Sequence, residues 1–206
     1  MSNLLDRAHT LRQSNVWIFV TMLVSACLSL LASFVLSVDA IALARDPGAN
    51  LACNINARIS CGAVGISWQA HLLGFPNAFL GLLAEPVVIT IAVASLAKVR
   101  FPRGFMLAAQ VVYTLGVIFA YWLFFQALYV IGALCPWCLL VTLSTTLVFT
   151  SLTHVNIRDN NLFLPPRAHE VAKAALRMGL EAVFVTLWLA IVVGLVFWKY
   201  GASVFG

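Results

Sequence analysis

Charge is what this sequence lacks. Only 9% of its 206 residues are Asp, Glu, Lys or Arg, where a soluble domain carries about 25%. A fold in water needs a polar surface, and a chain that is 63% hydrophobic cannot supply one. The sequence also lacks internal repeats, low-complexity tracts, a phosphate-binding loop and any nucleic-acid motif. The net charge of +5 does not point to nucleic acid either, because the basic residues cluster in short links between apolar blocks. Met1 to Asn15 shows no small-residue cleavage site behind a short apolar core, so the first apolar block is expected to stay in the protein.

What the sequence does have is five apolar blocks, each long enough to cross about 30 Å of hydrocarbon as a helix. They run from about Val16 to Val38 (apolar residues continue to Leu43), Asn77 to Leu96, Phe105 to Ile131, Leu134 to Leu152 and Gly179 to Trp198. Lipid offers no partner to free backbone groups, so every span is expected to be helical. The expected organisation is an N-terminal segment 1–15 and a four-helix unit 16–153 with a long loop 45–75. A link 154–177, with a short amphipathic stretch at the membrane surface, leads to a fifth span and tail, 178–206.

Lys and Arg set the orientation. With the N-terminus in the cytoplasm, Arg7, Arg12, Lys98, Arg100, Arg103, Arg158, Arg167, Lys173 and Arg177 lie inside, and only Arg45, Arg58 and Lys199 lie outside. Nine of the 12 basic residues on one side is a positive-inside bias. The C-terminus then falls outside.

Of the five cysteines, Cys53 and Cys61 sit in the long loop, and Cys135 and Cys138 form Cys-Pro-Trp-Cys at the start of the fourth span. The orientation read from charge brings all four to the outer face, an oxidising compartment where disulfides persist. A helix N-terminus favours thiolate, the species that attacks a disulfide. Pro136 suits the first helical turn, where its missing N–H is not needed. Cys135 and Cys138 therefore read as an exchange-active pair. Two other readings compete. Cys53 and Cys61 can be a structural staple, or all four cysteines can be ligands of a structural or metal-handling membrane protein. The seven-residue spacing of Cys53 and Cys61 is wrong for a zinc knuckle, and no metal is expected. Cys27 lies mid-span, far from the others, and reads as a small packing residue.

The sequence resembles the vitamin K epoxide reductase family, especially its bacterial members. The matching elements are Cys53 and Cys61 with Ile59-Ser60 before the second, and Gly74-Phe75-Pro76-Asn77-Ala78-Phe79-Leu80-Gly81 opening the second span. Trp122-Leu123-Phe124-Phe125 with Leu128-Tyr129 and Cys135-Pro136-Trp137-Cys138 complete them. The analogous four-helix quinone-coupled oxidases reverse this order, with Cys-x-x-Cys in the first outer loop. The resemblance implies an all-α membrane protein: a four-helix transmembrane bundle around a quinone, a loop capping its outer side and a fifth transmembrane helix. It implies a bacterial inner-membrane oxidoreductase with a menaquinone- or ubiquinone-type acceptor. Its electrons would come from a thioredoxin-like (DsbA-like) protein, expected to be separate because the chain stops at Gly206. In such a relay Cys53 and Cys61 meet the protein substrate, Cys61 exchanges with Cys135, and Cys138 faces the quinone. Asn77 donates to a quinone carbonyl, with Trp68 and Phe79 as further contacts. A plain N-cap role for Asn77 remains the competing reading. The animal enzymes carry Tyr four residues after the last cysteine. Here that residue is Thr142, a departure that bears on vitamin K epoxide reduction and on animal-type inhibitor binding.

Glu85, inside the second span, is a functional candidate because ionisable groups in lipid are costly. Proton transfer to the quinone and a structural pairing with a group such as Gln110 are its two readings. Trp68 and His71 suit a membrane-surface anchor. Arg45 and Asp46 suit a solvated turn.

Overall fold

The computed structural model describes residues 14–205, with side chains from 14 to 201. The segment 1–15 expected inside thus falls almost wholly outside the described residues. The chain is 78% helical, with no strands among the described residues, an all-α membrane protein. Among the described residues, five helices are long and apolar enough to cross a membrane.

Helix α1 spans Asn15–Arg45. Ser14 caps it, accepting the Trp17 N–H at 3.2 Å, which satisfies one of the free donors of the first turn. It runs seven residues beyond the apolar block read to Val38. Asp46 ends it and accepts the Gly48 N–H at 2.9 Å, the solvated turn expected there. Helix α2, Cys61–Gly65, is one turn, and a 3-10 turn, Trp68–His71, follows. Helix α3 is Ala78–Leu96 with Pro86 inside it, which lipid-embedded helices tolerate. Helix α4 is Arg103–Gln126. It widens into a π turn, Ala127–Ile131, that ends at Gly132 in the left-handed conformation (φ 72°). Helix α5 is Pro136–Arg158. The amphipathic helix α6, Pro166–Met178, stands where the surface stretch was expected, and α7 is Leu180–Phe205.

The bundle is built on α1. Its buried serines, Ser25, Ser29, Ser33 and Ser37, recur every fourth residue and so share one face. Small residues let helices approach closely where lipid gives no hydrophobic drive. Met22 and Ala26 of α1 pack with Val88, Ile91 and Ala92 of α3 and with Val148 and Leu152 of α5. The opposite faces present Leu28, Leu31, Phe34, Val111 and Leu115, side chains suited to lipid. Helix α7 docks through Tyr200, fully buried with its hydroxyl on the Ala127 carbonyl at 3.3 Å, through Trp188 against Tyr121, and through Glu181 on His154.

Two expectations are corrected. Cys27 is exposed, turned outward from α1, so it packs no core. Glu85 does not pair with Gln110. The Ser29 Oγ and Tyr113 OH groups each donate to its carboxyl at 2.7 Å. Gln110 lies one turn along α4 from Tyr113, and it bonds instead to Thr153 and Asn156.

Candidate functional site: a sulfur chain on an intramembrane cavity

The long loop is shaped by short polar side chains that bond its own backbone. Asn56 Oδ1 accepts the Arg58 and Ile59 N–H groups at 2.9 and 2.8 Å. Asn54 Oδ1 accepts from Gly62 N–H at 2.9 Å and Ser60 Oγ at 3.0 Å. A side chain at Gly62 would press on Asn54, its Cβ only 3.1 Å from Nδ2. Ser60 in turn caps α2, its Oγ accepting the Ala63 N–H at 3.1 Å. The loop is then tied to the α4–α5 corner. Ser60 N–H donates to the Leu134 carbonyl at 3.0 Å, and Leu134 N–H to the Arg58 carbonyl at 2.8 Å. The next residue on each strand of this pairing is a cysteine, Cys61 on one and Cys135 on the other.

The sulfurs follow from that frame. Cys53 and Cys61 form a disulfide with 5.6 Å between their Cα atoms. The Cys61 and Cys135 Sγ atoms are 3.5 Å apart, and both residues are buried, at 2% and 1% exposure. Cys135 is itself the N-cap of α5, its Sγ accepting the Cys138 N–H at 3.2 Å. A hydrogen bond from the Cys138 thiol, helped by the Cys138 and Trp137 N–H groups, outweighs burial and brings the Cys135 thiol below the ordinary range. Cys135 and Cys138 are both unpaired.

Beneath the sulfurs lies a cavity of about 1010 Å³, at the upper end for small-molecule sites. Its walls are mostly aliphatic and aromatic, and Asp39, Cys61, Asn77, Cys135, Cys138 and Thr142 line it near the loop, with Glu85 and Tyr113 also on the wall. Asn77 does not act as a helix cap. Its Nδ2 donates to the Gln69 carbonyl at 2.6 Å, it forms no cap bond, and its buried Oδ1 accepts from none of the described residues. A buried polar atom without a partner is costly. An apolar chamber with one amide that keeps a free acceptor and a spare N–H suits a quinone in either redox state, since its ring oxygens accept when oxidised and donate when reduced.

The structure thus brings Cys53, Cys61, Cys135, Cys138 and Asn77 to one end of the bundle. Two residues expected at the quinone are not on the cavity wall. Trp68 is 63% exposed and meets the edge of Trp122 at 6.1 Å. Phe79 stacks on Phe75 at 6.5 Å, because α3 turns it away from the wall that Ala78, Leu80 and Gly81 form. The sequence reading missed Asp39. A carboxylate inside the first apolar block was the available signal, the same signal that singled out Glu85. The Asp39 carboxylate and the Cys53 and Cys61 sulfurs lie within 4.8 Å of one another. In the disulfide state those sulfurs bond each other and carry no thiolate for a metal.

A loop disulfide in contact with a Cys-x-x-Cys pair, above an apolar chamber, has the parts that thiol–disulfide exchange needs. The sequence model of the vitamin K epoxide reductase family matches residues 20–153, and the chain belongs to that family. Its members are oxidoreductases, quinone-linked in general, that work with thioredoxin-like partners. No curated protein matches the chain.

Proposed function

We propose that the protein is a quinone-dependent thiol–disulfide oxidoreductase that reoxidises a separate thioredoxin-like protein outside the cytoplasm of a bacterium. The observation that carries this reading is the 3.5 Å contact between Cys61 and Cys135, which joins a loop disulfide to a Cys-x-x-Cys on the cavity wall. Reacting atoms held about 3–3.5 Å apart are in near-attack range.

In this reading a thiolate of the partner attacks Cys53, and Cys61 leaves as thiolate. The partner's second thiol resolves that mixed disulfide, leaving Cys53 and Cys61 reduced. Cys61 then attacks Cys135 of an oxidised Cys135–Cys138 pair, and Cys138 leaves. Cys53 closes back on Cys61 and frees Cys135. The contacts fit the end of this sequence: the loop pair is oxidised and the Cys-x-x-Cys pair reduced. Hydrogen bonds that stabilise Cys135 as thiolate make it a good leaving group at the last step.

Asn77 and the apolar wall would hold a menaquinone- or ubiquinone-type molecule, with Cys138 on the same wall. When bound, the quinone supplies a two-electron, two-proton acceptor. The protein's own part is to align sulfurs, stabilise thiolate and keep water from the chamber. The positive-inside bias supports placing the loop and its cysteines outside.

The test mixes the purified protein with a reduced thioredoxin-like dithiol and menaquinone or ubiquinone, and follows quinone absorbance. Quinone reduction that needs all four cysteines and ignores chelators supports the reading. Chelator-sensitive function without quinone dependence would replace it with a metal-handling one.

A further inference from the structure

Asp39 is the one acidic side chain of α1. It lines the cavity on the same helical face as Leu36, Ala40 and Leu43. Its Oδ2 lies 3.7 Å from the Cys53 sulfur. Among the described residues it forms no ion pair, so no cation explains its retention in an apolar helix. The Cys53 and Cys61 sulfurs of the loop lie within 4.8 Å of its carboxylate, and Cys135 and Cys138 from the start of α5 share its cavity, as does His71. Glu85, the other carboxyl of the cavity, is held by Ser29, ten residues and so about 15 Å down α1.

We propose that Asp39 is the general base that removes the Cys53 thiol proton as Cys53 resolves the Cys61–Cys135 mixed disulfide. The inference rests on the relay proposed above and assigns the proton that the relay must move. Cys53 is only 7% exposed, so bulk water is a poor acceptor for that proton. An ordinary thiol, with a pKa of about 8.5, is mostly protonated at neutral pH. The balance is complete within the chain. The Cys53 S–H bond breaks and its proton passes to the Asp39 carboxylate. The Cys53–Cys61 bond forms, the Cys61–Cys135 bond breaks, and its electron pair leaves on Cys135. The loop pair is oxidised and Cys135 reduced. A fixed carboxylate beside a standing thiolate would be repulsive. It suits a step in which the sulfur's charge is consumed as it forms.

The step can be isolated without quinone. In a Cys138→Ala background, the Cys53–Cys61 disulfide with free Cys135 interconverts with the Cys61–Cys135 disulfide and free Cys53. A pH jump shifts this balance because the two free thiols differ in acidity. Acid quenching, alkylation and peptide mapping, with chelator present throughout, give the rate. Asp39→Asn should slow interconversion about 100-fold near neutral pH, the lower range for one positioned acid–base group. The deficit should shrink at alkaline pH, where Cys53 ionises unaided. Asp39→Glu should keep most of the rate and its shallow pH profile. Equal rates for Asp39→Asn and its parent overturn the inference, as does a deficit that persists unchanged at alkaline pH, which marks a structural effect. If Cys61 and Cys135 never crosslink even with Asp39 intact, the relay fails and the inference with it.

Discussion

Where α1 crosses α3, Gly81 faces Ser33 with no room between them. A Cβ at residue 81 would sit 2.0 Å from the Ser33 Oγ and 2.7 Å from its Cβ. The hydroxyl can rotate away, but the Ser33 Cβ is fixed to the backbone. Carbon atoms rest about 3.5–4.0 Å apart, so Gly81→Ala must part the two helices by about 1 Å. Overpacking of this kind costs about 1–3 kcal/mol. Alanine returns about 1 kcal/mol through its better helix propensity. Gly81→Ala should therefore be destabilising by up to about 2 kcal/mol, or several degrees in Tm for a chain of this size at roughly 2–4 °C per kcal/mol. The sharper expectation is a change of sign. Ser33→Gly removes both clashing atoms, so in that background Gly81→Ala should stabilise by about 1 kcal/mol. Ser33→Ala, which keeps Cβ, should give only partial relief. The assay is thermal unfolding of the four proteins of the cycle in one detergent, read as a coupling energy. Equal effects of Gly81→Ala in both backgrounds would refute the close crossing.

Four further outcomes are expected. Cys138→Ala should abolish quinone reduction and let a Cys61–Cys135 crosslink accumulate, visible on non-reducing gels and by peptide mapping; normal quinone reduction would remove Cys138 from the relay. Cys135 should alkylate with iodoacetamide at lower pH than an ordinary thiol at about 8.5. A lowered pKa keeps the thiolate present as pH falls to the shifted value; an alkylation midpoint at or above the ordinary one would overturn that direction. Cys27→Ala should leave electron transfer unchanged, because Cys27 faces outward from α1, and loss of activity in a folded variant would mean a misread relay. A reporter fused after Gly206 should be active outside the cell and one near Arg103 inside; the reverse pattern would invert the proposed orientation.

Span number and the amphipathic stretch that becomes α6 were legible in the sequence, because hydropathy encodes them directly; the pairing of Cys53 with Cys61 and the approach of Cys61 to Cys135 came from the family resemblance and not from spacing. What packs against what was not legible. The transmembrane helices are apolar on nearly every face, so periodicity could not say that Phe79 turns off the cavity or that Cys27 points outward. Polar partners inside lipid were equally hidden. Gln110 and Tyr113 sit one turn apart on α4, and only the depth of Glu85 against α4 chooses Tyr113. Asp39 shows its meaning only when the loop folds Cys53 back onto α1, a contact between residues 14 apart that no local pattern records.

The backbone pairing of Ser60 with Leu134 has a consequence for selectivity. It fixes the main chain immediately before Cys61 and Cys135, so the two sulfurs face each other as groups on one rigid frame. Well-oriented intramolecular partners react as if present at effective molarities that reach about 10⁵–10⁸ M. No dissolved thiol approaches such a concentration, and both sulfurs are shut off from solvent. In the proposed relay the handover from loop to helix is therefore insulated from the surrounding redox buffer. Small thiols can compete for the protein at its outermost disulfide, but not for electrons already inside it.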